Sequence, residues 1–124
     1  MTKKKLFIST PSETMCFSPD KIVYIEAQGN YSEIVQADNK MSMLVMQLGK
    51  VADVIIDQLG DDAVMFIRIG KSYIVNSDYI YHIKVQKKEL ILSDMATFCH
   101  TLNPSKEALR SLKDHMDELM EDKL

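Results

Sequence analysis

Apolar and polar positions along the chain change rhythm several times, and each change marks an element. Leu6-Phe7-Ile8 and Met15-Cys16-Phe17 are short apolar runs separated by Thr10-Pro11-Ser12-Glu13, a polar cluster with proline that favours a turn, so they predict an opening hairpin. After Ser18-Pro19-Asp20, residues Val23, Ile25 and Ala27 alternate with Tyr24, Glu26 and Gln28, the period of two expected of a strand. That strand should stop at Gly29-Asn30. Ile34-Val35 continues as a third run, Asp38-Asn39-Lys40 makes a turn, and Met41 to Gln47 is expected to return as a strand, giving a meander. From Leu48 the spacing becomes three and four: Leu48, Val51, Ala52, Ile55 and Leu59 lie on one helical face, and Gly60 is placed to end the helix. Strand patterns resume at Val64 to Ile69, Tyr73 to Val75, Tyr79 to Val85, Glu89 to Leu92 and Thr97 to Leu102.

The last segment is helical again. Asn103 is expected to cap it, with Pro104 at the first helical position, where a missing N–H costs nothing. Leu109, Leu112, Met116 and Leu119 follow at alternating steps of three and four, the spacing of a helix seam. Two heptads fall short of a coiled-coil signal, so residues 105–124 are expected either to pack on the domain or to serve self-association. Residues 1–104 form the β body in this reading.

Bulk properties bound the function. At 124 residues and 46% hydrophobic, the chain can supply one core, and one domain is the default. No apolar stretch approaches a membrane span, and Met1-Thr2-Lys3-Lys4-Lys5 is followed by too short an apolar run for a signal peptide, so a cytoplasmic location without a membrane partner is expected. Cys16 and Cys99 are then expected to be reduced. Residues 1–104 hold 11 Lys and Arg against 12 Asp and Glu, and residues 105–124 hold 4 against 6, so the acidity gathers in the tail. A near-neutral body excludes nucleic-acid binding by a general positive field; basic residues at particular loops would have to do it.

Most familiar chemistry is missing. Gly70-Lys71-Ser72 imitates the end of a phosphate-binding loop, but the glycine required five residues earlier is Met65. His82, His100 and His115 are scattered, and adjacent Cys99 and His100 would face opposite ways in a strand, which gives no ligand spacing for a metal. No nucleophile, base or paired carboxylate constellation stands out, so neither an enzyme nor a cofactor or small-molecule substrate is expected.

Two hinges stand apart from these negatives. Tyr24 to Ile34 and Phe66 to Asn76 each run apolar, polar, apolar, and their tips carry Asn30, Tyr31 and Ser32 in one and Lys71 and Ser72 in the other. Amide, hydroxyl and ammonium donors suit phosphate oxygens and base edges, so two such tips on one sheet edge would make a reader of duplex DNA. Within these hinges, Arg68 is expected to meet a carboxylate such as Glu26, Tyr73 and Phe66 to belong to the core, and Asn76 to cap the turn before Ser77-Asp78.

The order of segments from about Leu6 to Leu102 resembles the LytTR family of bacterial DNA-binding domains. Ile22-Val23-Tyr24-Ile25-Glu26-Ala27 reads like the family's first strand motif, and after the helix Phe66, Arg68, Ser72, Tyr73, Val75 and Asn76 match its Phe-x-Arg-x-His-x-Ser-aromatic-x-Val-Asn pattern. The resemblance implies a mainly β fold of elongated antiparallel sheets, with one short internal helix and a C-terminal amphipathic helix. It also implies DNA contact through loops rather than a recognition helix, in an output domain of transcription regulators that often binds repeated half-sites, with a homodimer as a possible partner arrangement. Carried over by position, the contact loops are Asn30-Tyr31-Ser32, Lys71-Ser72, and the end of the last strand near Asn103, with Ser105 and Lys106 as its donors. Met1 stands close to the first strand, so a stand-alone output domain without a receiver is expected. The near-neutral body, Gly70 in place of histidine, and Asn103-Pro104 in place of Ser-Arg motivate the alternative, a protein-interaction module on the same scaffold.

Overall fold

The computed structural model describes residues 4–123. Contacts divide the chain into two compact units, the first ending at Asp78 and the second beginning at Tyr79. The division falls inside the expected body, and the C-terminal helix belongs to the second unit.

The first unit opens with the expected hairpin, strands β1 (Leu6–Ser9) and β2 (Thr14–Phe17), with Leu6 paired to Phe17. Strands β3 (Ile22–Gln28), β4 (Tyr31–Gln36) and β5 (Met41–Leu44) form the meander, helix α1 (Leu48–Leu59) follows, and β6 (Phe66–Ile69) and β7 (Tyr73–Asn76) close the unit. These last five strands make one antiparallel sheet in the order β5-β4-β3-β7-β6. The insertion of β7 beside β3 is a nonlocal pairing that brings the two hinges together.

Helix α1 buries the apolar face set by its spacing: Leu48, Val51, Ile55 and Leu59 pack with Ile25, Ile34, Ile74 and the hairpin residues Leu6, Ile8 and Phe17. Gly60 ends it at φ +55°, the left-handed geometry that a side chain disfavours. The two strands that flank α1 are shorter than their apolar runs, and the later strands over Ile80–Lys84 and Cys99–Leu102 are also shorter than expected. Val45 to Gln47 leave β5 to deliver the chain to α1, and Val64-Met65 lie in a short 3-10 helix over Gly60–Met65 before β6 starts.

The second unit is a three-stranded antiparallel sheet of β8 (Ile80–Lys84), β9 (Glu89–Ser93) and β10 (Cys99–Leu102), ordered β10-β9-β8, followed by helix α2 (Lys106–Lys123). Its core holds Leu90, Leu92, Phe98, Leu102, Leu109 and Leu112. The β9–β10 turn is organised by Asp94, whose carboxylate accepts from the amides of Ala96, Thr97 and Phe98 and from the Thr97 hydroxyl. Those donors, the hydroxyl foremost, hold its pKa well below the usual carboxylate range.

Helix α2 starts later than expected. Ser105 caps it, its Oγ accepting from the Ala108 amide at 3.1 Å. Asn103 is engaged elsewhere, donating to the Lys88 carbonyl at 3.3 Å, and Pro104 precedes the helix in a buried position. With the Asn103 side chain committed to Lys88, the Ser105 hydroxyl takes the capping role. Leu109 and Leu112 are buried, whereas Leu119 and Met120 are exposed.

Candidate nucleic-acid interface

Strand register decides which loops share an end of the five-stranded sheet. Strand β3 pairs with β7 through Tyr24–Val75, Ile25–Ile74 and Glu26–Tyr73, and the Ala27 amide donates to the Ser72 carbonyl at 2.8 Å. The β3–β4 turn and the β6–β7 loop are therefore neighbours at one end. Strand β5 runs to the same end, because Leu44 pairs with Ser32, and the start of α1 follows it there.

The first tip is a two-residue hairpin loop, Gly29-Asn30, between the paired Gln28 and Tyr31. Gly29 has φ +64° and Asn30 does not share that sign, the type II′ geometry that matches strand twist. Asn30 Oδ1 accepts from Gln47 Nε2 at 3.2 Å, which ties the tip to the residue before α1. Tyr31 is 46% exposed, but Ser32 is fully buried and its Oγ donates to the Met46 carbonyl at 2.7 Å. Ser32 thus braces the connection into α1, while Asn30 and Tyr31 remain at the surface.

The second tip is a three-residue loop, Gly70-Lys71-Ser72, between the paired Ile69 and Tyr73. All three residues are exposed. Gly70, standing where the family pattern has histidine, takes φ +60°. Arg68 donates from Nε to the Gly70 carbonyl at 3.2 Å and from Nη2 to the Lys71 carbonyl at 3.3 Å. This corrects the expectation of a Glu26 partner. Arg68 lies opposite Ile74, which lies opposite Ile25, so Arg68 projects on the α1 side of the sheet; Glu26 belongs to the adjacent row and projects on the other side.

On that other side Glu26 faces Glu33 directly across the β3–β4 pair. Burial, and then the Glu33 charge, raises the Glu26 pKa above its ordinary value. Burial likewise pushes the Tyr24 phenol up to about 12, with Glu26, Glu33 and Tyr73 adding to the effect, so it stays neutral and donor-capable at physiological pH. Tyr73 is buried, Phe66 is half-buried against the core of the first unit, and Asn76 is fully buried, as the structural readings of these residues require. Asn76 Nδ2 donates to the Ile22 carbonyl and its Oδ1 accepts from the Asp78 amide, both at 3.0 Å.

The remaining expected donors lie in the second unit. Ser105 is spent capping α2, Asn103 holds the β8–β9 turn through Lys88, and Lys106 is exposed in the first turn of α2. Sequence reasoning missed three participants at the first end: Arg68 as the loop's brace, Gln47 as the holder of Asn30, and Lys50, exposed in the first turn of α1. Gln47 had a detectable signal, since it stands where the apolar period changes from two to three and four. Among the described residues no group of His, Cys, Asp and Glu is arranged to hold a metal ion, and no helix is long and apolar enough to cross a membrane.

These features define a mainly β chain of antiparallel sheets, with exposed donors gathered at one end of the five-stranded sheet. The chain belongs to the LytTr DNA-binding domain family, which matches residues 12–117 and so extends into α2. Its fold is similar to the solved LytTr DNA-binding domain of a protein described as a methyl-accepting/DNA response regulator from Bacillus cereus, with a TM-score of 0.59 at 18% identity, covering 91% of this chain and 96% of that one. No curated protein matches the chain closely enough to be counted a relative. Family membership supports a DNA-binding regulator in general terms.

Proposed function

We propose that the chain is a sequence-specific transcription regulator that reads duplex DNA through the loops between its strands. The observation that carries this reading is the convergence of the β3–β4 turn and the β6–β7 loop at one sheet end, where Asn30, Tyr31, Lys71 and Ser72 are exposed and both loops are braced, the first through the Asn30 side chain and the second through its carbonyls. Loops on a braced scaffold keep their donors in fixed positions, which base-edge and phosphate hydrogen bonds both require. Lys106, with Asn103 and Ser105 beside it, supplies a further contact from the second unit.

Repeated half-sites would place two copies side by side on one duplex. The distal part of α2, where Leu119 is 42% and Met120 55% exposed, is the surface available to a second copy. Residues 105–124 then serve both packing and self-association, and the protein works in the bacterial cytoplasm, where its DNA lies. Neither a catalytic step nor a small-molecule substrate enters this function.

Selection from a random duplex library at low salt, read by sequencing, tests the proposal. An enriched motif, repeated at a fixed spacing, is the expected result. A bound pool no different from the input would sink sequence-specific reading and leave a protein-interaction role in its place.

A further inference from the structure

The Arg68 brace has a consequence for the direction of the loop's amides. In a trans peptide the carbonyl and the following N–H point opposite ways because the unit is planar, and the described residues contain no cis bond. The guanidinium draws the Gly70 and Lys71 carbonyls toward itself. It therefore turns the amides of Lys71 and Ser72 away from itself. Among the described residues neither amide donates to another backbone group. Successive amides exposed at a turn that includes a left-handed residue form a concave anion site, and Gly70 at φ +60° supplies that residue. The Lys71 ammonium and the Ser72 hydroxyl stand on the same two residues.

We infer that the β6–β7 loop is a phosphate nest, and that Arg68 is the positioning residue that builds it. The ligand is a phosphodiester of the DNA backbone, gripped by the Lys71 and Ser72 amides with the Lys71 ammonium. This loop then fixes the register of the protein on the duplex, and base reading falls to the β3–β4 tip. Arg68 itself acts through the loop, since two of its donors are committed to carbonyls.

This assignment rests on the DNA reading above, and its test separates the two. Backbone amides of the wild-type chain are followed by NMR as a duplex of arbitrary sequence is added, and affinities of wild type, Arg68→Ala, Arg68→Lys, Lys71→Ala and the Arg68→Ala/Lys71→Ala pair are measured on that duplex. The Lys71 and Ser72 amide resonances are expected to move with DNA in wild type and to stay still in Arg68→Ala. Arg68→Ala should weaken binding about tenfold, the scale of a charge-assisted hydrogen bond. Arg68→Lys should recover little of it, because an ammonium lacks the fork that spans two carbonyls. The double variant should bind no more weakly than Arg68→Ala, since Lys71 is misdirected once the brace is gone. Full recovery by Arg68→Lys, additive losses in the double variant, or amides that do not respond in a wild-type chain that binds duplex would overturn the nest alone. A wild-type chain that binds no duplex would overturn the DNA reading with it. The amide titration of wild type needs no variant, so it decides the matter even if Arg68→Ala fails to fold.

Discussion

The two loops at the end of the five-stranded sheet are held in opposite ways. In the β3–β4 hairpin the side chains do the holding: Asn30 is tied to Gln47, and Ser32 is buried against the Met46 carbonyl. In the β6–β7 loop the backbone is held, through carbonyls bound to Arg68 and through Ser72 on Ala27, and the side chains of Lys71 and Ser72 are left exposed. A polar residue at a loop is thus a poor indicator of function until its partners are known. Of two serines that look equivalent in sequence, Ser32 braces the fold and Ser72 faces outward.

The largest effect is expected from Ser32→Val. It removes a donor from a site with no solvent exposure and leaves the Met46 carbonyl unpaired, so stability measured by urea unfolding should fall by about 2–3 kcal/mol. Ser72→Ala in the other loop should change stability by no more than about 0.5 kcal/mol. Equal losses in the two variants would erase the contrast between the loops. Lys71→Ala comes next. It should leave unfolding unchanged, weaken duplex binding about tenfold, and lower the slope of log affinity against log salt by about one unit, because one phosphate contact is lost. An unchanged slope across a salt series would remove Lys71 from the interface.

How far the sequence discloses these arrangements depends on whether the interaction is local. The face of α1, its end at Gly60, the opening hairpin and the β3–β4–β5 meander all follow from spacing between near neighbours, and each can be read directly. The pairing of β7 with β3 joins residues about fifty apart, and neither strand's pattern names its partner. The Arg68 error has the same origin. A carboxylate at Glu26 is a reasonable partner until the register shows that the two residues project from opposite faces, and carbonyls carry no sequence signal as acceptors. Strand ends were blurred for a further reason: Val45, Met46, Val64 and Met65 are apolar, yet they belong to connections at either end of α1. At the candidate site, the tips were visible as polar interruptions of apolar runs. What was hidden was which donors the fold had already used.

A smaller effect tests the side-chain bracing of the first tip. Asn30→Ala removes an exposed hydrogen bond of 3.2 Å to Gln47, which should lower stability by about 0.5–1 kcal/mol. Gln47→Ala should have a similar effect, and the two together should cost little more than either, since they share one bond. Independent, additive losses would show that Gln47 supports α1 without holding the tip.

The smallest effect concerns the rows beneath the same hairpin tip, where Glu26 and Glu33 face each other across the strands. Like charges directly opposite are unfavourable, and Glu26 has its pKa raised by burial and by Glu33, so the folded chain binds a proton there more readily than the unfolded chain. Stability attributable to this group is therefore intact at pH values below its ordinary 4.5 and declines as pH rises through the raised folded value. Glu33→Gln removes the repulsion but not the burial. It should stabilise the protein at neutral pH by about 0.2–1 kcal/mol in urea unfolding, with the gain vanishing as acid neutralises Glu26. A gain that persists unchanged into acid would assign it to the glutamine's own packing, and the hairpin would then be strained by shape and not by charge.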